Sequence, residues 1–329
     1  MSSCKHNPSE PIAGPDTTSQ EFVISTWEYG DGNSTSYACD AWIFDQNNTW
    51  IVGDFTGPAS SPYYNILRWN GSAWSGFGEY FNSSGIRSIW ALDSSRLYFT
   101  DGLIIVYNHG EFTRPDFTAL PWTVGQSVER VWASSESNVW GVGYGGCIVH
   151  FDGAVWTKTD FGNSWMFSAI CGSSSSGIAY ACAVNSSTQE SVIIRLTSDK
   201  TEVIYRGGTF GDPVSMNDIV LRTEDELWTA GTSIRRFTIS TGQLQTLLRQ
   251  PTSGYSMNVI SCAAPNDIYF WGDDFAGQLL THFNGSRFTS FALPQRGYVM
   301  QKGGHATSQK AIMTSLSDNK AYIVTAARR

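Results

Sequence analysis

One stretch decides the architecture: Val131-Trp132-Ala133, a polar turn over Ser134 to Asn138, then Val139-Trp140-Gly141-Val142-Gly143. A glycine pair, Gly145-Gly146, leads into Cys147-Ile148-Val149-His150-Phe151-Asp152-Gly153, and Val155-Trp156 follows. Each apolar run is too short for a helix, and each is bounded by turn residues. Two runs, a turn, a third run, an Asp-Gly turn and a fourth run predict a four-stranded antiparallel meander.

The same template recurs on both sides. Upstream, Ala41-Trp42 leads to Thr49-Trp50-Ile51-Val52-Gly53 and Arg68-Trp69-Asn70-Gly71, and Ile89-Trp90-Ala91 leads to Leu97-Tyr98-Phe99 and Val106-Tyr107. Downstream copies start at Ile170-Cys171-Gly172, Asp218-Ile219-Val220, Ile260-Ser261-Cys262 and Gly304-His305-Ala306. Seven copies at a spacing of about 40 to 50 residues fall in the range of propeller blades. A single small twisted sheet leaves both faces bare, and radial stacking buries them. The expected fold is therefore all-β: a seven-bladed β-propeller of four-stranded antiparallel blades. The last copy runs out of chain before its fourth strand. Phe22-Val23-Ile24-Ser25-Thr26-Trp27 precedes the first inner strand and is expected to complete that last blade. This predicts a single propeller domain over residues 21–329 behind a tether of residues 1–20.

Composition agrees with this reading. The 329 residues include 13 Trp, 14 Tyr, 18 Phe and 32 Gly, with only 15% charged, so a large aromatic core is available and a charged helical bundle is excluded. The formal net charge of −8 argues against nucleic-acid binding through a broad basic surface. No apolar run approaches the roughly 18 residues of a membrane helix. Trp-Ala, Trp-Gly-x-Gly and Phe-Asp-Gly-x-x-Trp recur, and in these elements the chain resembles bacterial BNR/kelch-like propeller repeats. The resemblance covers nearly the whole repeat region. It implies a surface or secreted protein, and it leaves function open because this architecture hosts binders and enzymes alike. Met1-Ser2-Ser3-Cys4 is similar to the tail of a bacterial lipobox. On that expectation Cys4 is lipidated, Lys5 to Gln20 is a polar tether, and the protein is extracytoplasmic, held to the envelope only through the lipid.

Six cysteines are present, at positions 4, 39, 147, 171, 182 and 262, with no zinc-type spacing. Buried strand positions are expected for most, and Cys171–Cys182 and Cys147–Cys182 bridges are left open. Sequons at Asn70 and Asn284 occupy one repeat position, so a turn explains them first. No spacing suits a metal or a phosphate loop, and no cofactor is expected. His150 and His282 share a repeat position and read as packing residues. His305, on an inner strand, is the histidine to watch.

A site is expected on the face that carries the connections between blades and the loops between second and third strands. Tyr63, Tyr64, Trp122, Trp165 and Phe275 fall outside the repeated core positions and form the candidate ligand-binding set. Aromatic faces beside hydrogen-bonding groups suit sugar rings. Asp54, Asp101, Asp273 and Asp274 are the alternative catalytic set, since glycoside hydrolysis needs two convergent carboxylates. Turn aspartates are common, however. The expected function is a non-catalytic envelope or surface binding protein whose partner is a glycan or an envelope protein. The alternative is a carbohydrate-active hydrolase or lyase working through those carboxylates.

Overall fold

The computed structural model describes residues 17–32, 34–56, 63–77, 81, 85–208, 214–249, 256–274, 277–294 and 299–329. Strand β1 is Phe22–Tyr29. Blade 1 holds β2 (Tyr37–Asp45), β3 (Asn48–Thr56), β4 (Tyr63–Trp69) and β5 (Trp74–Gly76). Blade 2 holds β6 (Ser88–Asp93), β7 (Arg96–Thr100), β8 (Ile104–Asn108) and β9 (Glu111–Thr113). Blade 3 holds β10 (Ser127–Ser135), β11 (Asn138–Tyr144), β12 (Cys147–Phe151) and β13 (Trp156–Asp160). Blade 4 holds β14 (Trp165–Gly172), β15 (Ala179–Asn185), β16 (Ser191–Leu196) and β17 (Thr201–Gly207). Blade 5 holds β18 (Asp218–Thr223), β19 (Glu226–Ala230), β20 (Ser233–Thr238) and β21 (Gln243–Arg249). Blade 6 holds β22 (Ser256–Ala264), β23 (Asp267–Asp274), β24 (Gly277–Phe283) and β25 (Phe288–Ala292). Blade 7 holds β26 (Val299–Ala306), β27 (Lys310–Ser317) and β28 (Lys320–Arg328), with β1 as its outer strand. The fold is an all-β, seven-bladed propeller of four-stranded antiparallel blades, as the repeat predicts.

The chain packs as two compact units, one over residues 90–249 and the other joining the described residues up to 89 with those from 256 to 329. In the second unit β1 runs antiparallel to β28, from Phe22 opposite Arg328 to Tyr29 opposite Ala321. The first described residues are also fastened: Thr18 N–H donates to Asn284 O at 3.1 Å, and Thr18 Oγ1 donates to Asn266 O. Tyr269, Trp271, Met313 and Tyr322 fill the space between blades 6 and 7. Ile51, Phe55, Ile312 and Ile323 do the same between blades 7 and 1. His305 is buried here. It stacks on Trp42 with centroids 4.3 Å apart, and its Nδ1 accepts the Ile43 N–H at 2.8 Å, fixing β26 to β2.

In the first unit Cys171, Cys182, Ile193, Leu221 and Phe237 form the core between blades 4 and 5. Trp90 Nε1 donates to Ala133 O at 2.9 Å and ties blade 2 to blade 3. Cys39, Cys147, Cys171 and Cys182 are free thiols in buried positions. Neither of the two bridges left open from sequence forms. Cys171 stands opposite Tyr180 and Cys182 opposite Ala169, so neither thiol has a cysteine as its register partner. Burial pushes the Cys147 and Cys182 thiols up to about 12, which keeps them protonated and unreactive.

The inner two strands approach closely at one end of the blade. A Cβ on Gly53, Gly143, Gly231 or Gly272 would stand 2.0, 1.9, 2.0 and 2.1 Å from the carbonyl oxygens of Tyr37, Ser127, Ser215 and Ser256. Beside three of these contacts the inner strand bulges, between Ala38 and Asp40, Val128 and Arg130, and Met257 and Val259. At the other end, turns close on side chains. Asn70, Asp152 and Asn284 each accept two backbone N–H groups from the residues two and three further on. The sequons at 70 and 284 therefore have the turn role expected of them. Gly143→Ala drives its methyl into a backbone carbonyl, so it should cost more than about 3 kcal/mol. Urea unfolding of this variant beside Val155→Ala, an exposed control, checks this, and equal midpoints would refute it.

Candidate functional site

In blade 3 the chain enters at Ser127 and leaves at Asp160 on the same end as the β11–β12 turn. That turn, Gly145-Gly146, holds both neighbouring connections. Gln126 Nε2 donates to Gly145 O at 3.2 Å, Gly146 N–H donates to Trp165 O at 2.8 Å, and Phe161 N–H donates to Gly146 O at 2.8 Å. Gly145 and Gly146 take φ of 65° and 66°, a region that favours glycine. Three large apolar side chains stand exposed around this turn: Val124 fully, Tyr144 at 44% and Met166 at 37%. Beside them Arg206 lies over the Trp165 ring at 5.7 Å and pairs with Glu190 at 2.6 Å. The result is an apolar platform on a hydrogen-bonded frame with an ion pair at its border.

The candidate aromatics divide by environment. Trp165 is 9% exposed and packs edge-on against Phe161. Trp122 donates its Nε1–H to Phe117 O at 3.0 Å and lies under Lys158 Nζ at 5.7 Å, which fastens its loop to blade 3. Tyr64 covers Gly76 so closely that a Cβ there would be 2.3 Å from the ring, and it packs on the core between blades 7 and 1. Tyr63 is exposed. Phe275 and Cys4 lie outside the described residues, as does the side chain of Asp274. Trp122 and Trp165 belong to one unit, and Tyr63 and Tyr64 to the other.

The carboxylates differ in the same way. Asp101 is held through both oxygens by Arg114, which locks the β7–β8 turn to the following connection. Asp273, the last residue but one of β23, stands opposite Ser256 and Gln278. Asp54, the last residue but two of β3, is buried, and its Oδ1 has no hydrogen-bond partner among the described residues. Burial raises its carboxyl to about 6. Among the described residues no three His, Cys, Asp or Glu side chains are placed to hold a metal ion.

Sequence reading passed over Tyr144, Met166 and Val124 as site residues. A signal existed for Tyr144. At the position after the close-contact glycine, Asp54, Thr232 and Asp273 are polar, and blade 3 alone of these four puts an aromatic there.

No family model matches the sequence, and no curated protein matches it. Solved structures do. The chain is similar to YCF48 bound to a D1 peptide, with a TM-score of 0.63 and 12% identity over 95% of this chain and 97% of that one. It is similar to virginiamycin B lyase from Staphylococcus aureus, with a TM-score of 0.65 and 13% identity over 92% and 99% of the two chains. It also matches the extracellular domain of a putative one-component system from B. thetaiotaomicron, with a TM-score of 0.64 and 14% identity over 94% of this chain and 40% of that one. The likeness is one of fold.

Asp54 makes a pH prediction. Its folded value lies above the ordinary carboxyl value of 3.8, so the folded chain holds the extra proton between about 4 and 6. Stability from this group is therefore full below that window and is lost as pH rises through it. Asp54→Asn should leave stability near pH 4 unchanged and raise it at pH 7.5 by on the order of 1–2 kcal/mol. Thermal midpoints at the two pH values measure this, and an equal shift at both would refute it.

Proposed function

We propose that this propeller is a non-catalytic binding protein that holds a segment of a protein partner on the platform around Gly145-Gly146. The carrying observation is the exposure of Val124, Tyr144 and Met166 together on hydrogen-bonded loops, with Arg206 beside them. Aromatic, Met and Arg side chains are the types enriched where proteins bind one another. Rigid loops also lower the ordering cost of association. The fold neighbours supply a parallel: one is described as bound to a peptide. Another is described as an extracellular domain, which accords with an extracytoplasmic location for this chain. Lipid attachment at Cys4 would hold it at the envelope, and membrane fractionation of Cys4→Ser in cells tests that point.

The hydrolase alternative requires two carboxylates free to act on one sugar bond. Asp101 is engaged with Arg114, which disfavours it as a member of such a pair.

The test places a photo-crosslinking amino acid at position 166 and identifies adducts by mass spectrometry. The adduct partner is then purified and titrated against wild type, Tyr144→Ser and Val155→Ser. Binding should weaken at least tenfold for Tyr144→Ser and stay unchanged for Val155→Ser, which is exposed at the opposite end of the same blade. Equal affinity for all three would overturn the proposal.

A further inference from the structure

A second feature of blades 3 and 4 lies away from that platform. Between the outer half of blade 3 and the β16–β17 hairpin is a cleft of about 390 Å³. Its floor is Trp140, Ile148 and His150, its side is Thr157 and Thr159, and its far wall is the hairpin, residues Thr197 to Thr201. Register explains the lining. Trp140, His150 and Thr157 stand side by side across β11, β12 and β13, and Ile148 stands opposite Thr159.

The repeat explains why the space is open. At the position of His150, blades 1, 4 and 5 carry Arg68, Arg195 and Arg236, each opposite the strand-two aromatic. At the position of Thr159, opposite Ile193, blade 4 carries Tyr205, which packs into its neighbouring core. Blade 3 has the smaller residue at both places. Blade 6 shares the histidine, as His282 opposite Thr289, but carries Phe291 opposite Leu280 at the position of Thr159, and His282 is fully buried. There the chain fills the space itself. Arg328 donates to Asp267 and to the Tyr269 hydroxyl, Phe22 packs edge-on against His282 at 5.2 Å, and Gln20 accepts from Thr289 Oγ1 at 2.8 Å. Over His150 the corresponding hairpin lines the space and leaves it vacant.

Asn138 ties the floor together. In blade 1, Asn48 Oδ1 accepts the indole N–H of Trp50 at 3.0 Å. In blade 3, Asn138 turns its Oδ1 to His150 Nε2 at 2.8 Å and its Nδ2 to Ser134 Oγ and Gly177 O. Trp140 is 95% buried by its 5% exposure, and its Nε1–H has no partner among the described residues. That N–H has essentially no accessible surface, so the indole gives the cleft a packed face and not a donor.

We infer that this cleft is a binding site for a neutral, polyhydroxylated ligand of one or two sugar rings. Asn138 stands where blade 6 has the acid Asp267, so the floor lacks the carboxylate that holds Arg328 in blade 6. Burial lowers the His150 imidazole below its usual value, so at neutral pH it is uncharged. Thr159 and Thr201 supply hydroxyls that both donate and accept, while Thr157, Thr197 and Ser198, which donate to His150 O, Lys200 O and Asp199 Oδ1, offer lone pairs. At the hairpin tip Lys200 is paired with Glu202 at 3.2 Å, and the Asp199 carboxylate in the far wall accepts the Ser198 hydroxyl at 2.9 Å. The volume lies at the small end of ligand pockets.

The test titrates the full chain with glucose, galactose, mannose, N-acetylglucosamine, maltose and cellobiose by saturation-transfer NMR and calorimetry. At least one should bind saturably, with Kd in the range of about 0.1–10 mM. Thr159→Tyr installs the side chain of blade 4 and should remove binding at least tenfold while the thermal midpoint holds. No saturable binding by any of the six sugars would overturn the inference. So would binding that Thr159→Tyr leaves unchanged, or a cleft that Thr159→Tyr shows to take only peptides from an unstructured peptide library. None of these outcomes bears on the platform, because Tyr144→Ser is read on its own partner.

Discussion

The fold depends on how closely the first two strands of a blade run at the end where the chain enters. At Gly53, Gly143, Gly231 and Gly272 the facing carbonyl leaves no room for a Cβ. Extra inner-strand residues beside three of these contacts are set out of register as bulges, which sharpen the local twist. The bulged strands then reach their neighbours. Thr100 Oγ1 of blade 2 donates to Glu129 O at the bulge of β10, and Ser168 Oγ at the bulge of β14 donates to Met216 O ahead of blade 5. One steric contact, repeated, thus shapes the sheet and supplies polar links between blades. The loops that carry the proposed platform start from this same end, so their frame inherits its rigidity.

Where the repeat speaks, the fold was legible. The Trp-Gly-Val-Gly and Phe-Asp-Gly signatures place strands two and three and the turn after them, and the short final copy placed β1 against β28. The site was less legible, for a physical reason. A side chain outside the repeat pattern can be turned inward by contacts that no local pattern encodes. Trp122 lies in a connection and Trp165 opens β14, yet each is covered by a cation from another strand, Lys158 and Arg206. Tyr144 is the last residue of β11 and Met166 the second of β14, where alternation assigns a side chain to one sheet face or the other without saying whether that face is covered. The Asp101–Arg114 pair was hidden for the same reason, since the arginine belongs to the next connection.

The set of residues that varies most in meaning is the pair formed by the strand-two aromatic and the basic residue opposite it. With arginine the pair is self-sufficient: Arg236 reaches Glu226 and Gln245, and Arg68 reaches Asn48 while lying over Trp50. With histidine it is short by the length of a guanidinium. Blade 6 makes up the shortfall with Arg328 from the neighbouring strand, and the negative charge of Asp267 holds that arginine in place. Blade 3 replaces Asp267 by Asn138, which spends its amide on Ser134, Gly177 and His150 and offers no anchor for a cation. A neutral imidazole stacked 3.8 Å from an indole can pack as a flat apolar face, and the hydroxyls of β13 continue that face outward. The difference between a closed blade interface and an open cleft therefore comes down to one carboxylate-for-amide exchange together with a shorter outer-strand side chain. The same repeat position is structural filler in one blade and, with two substitutions, a surface with its own recognition chemistry in another.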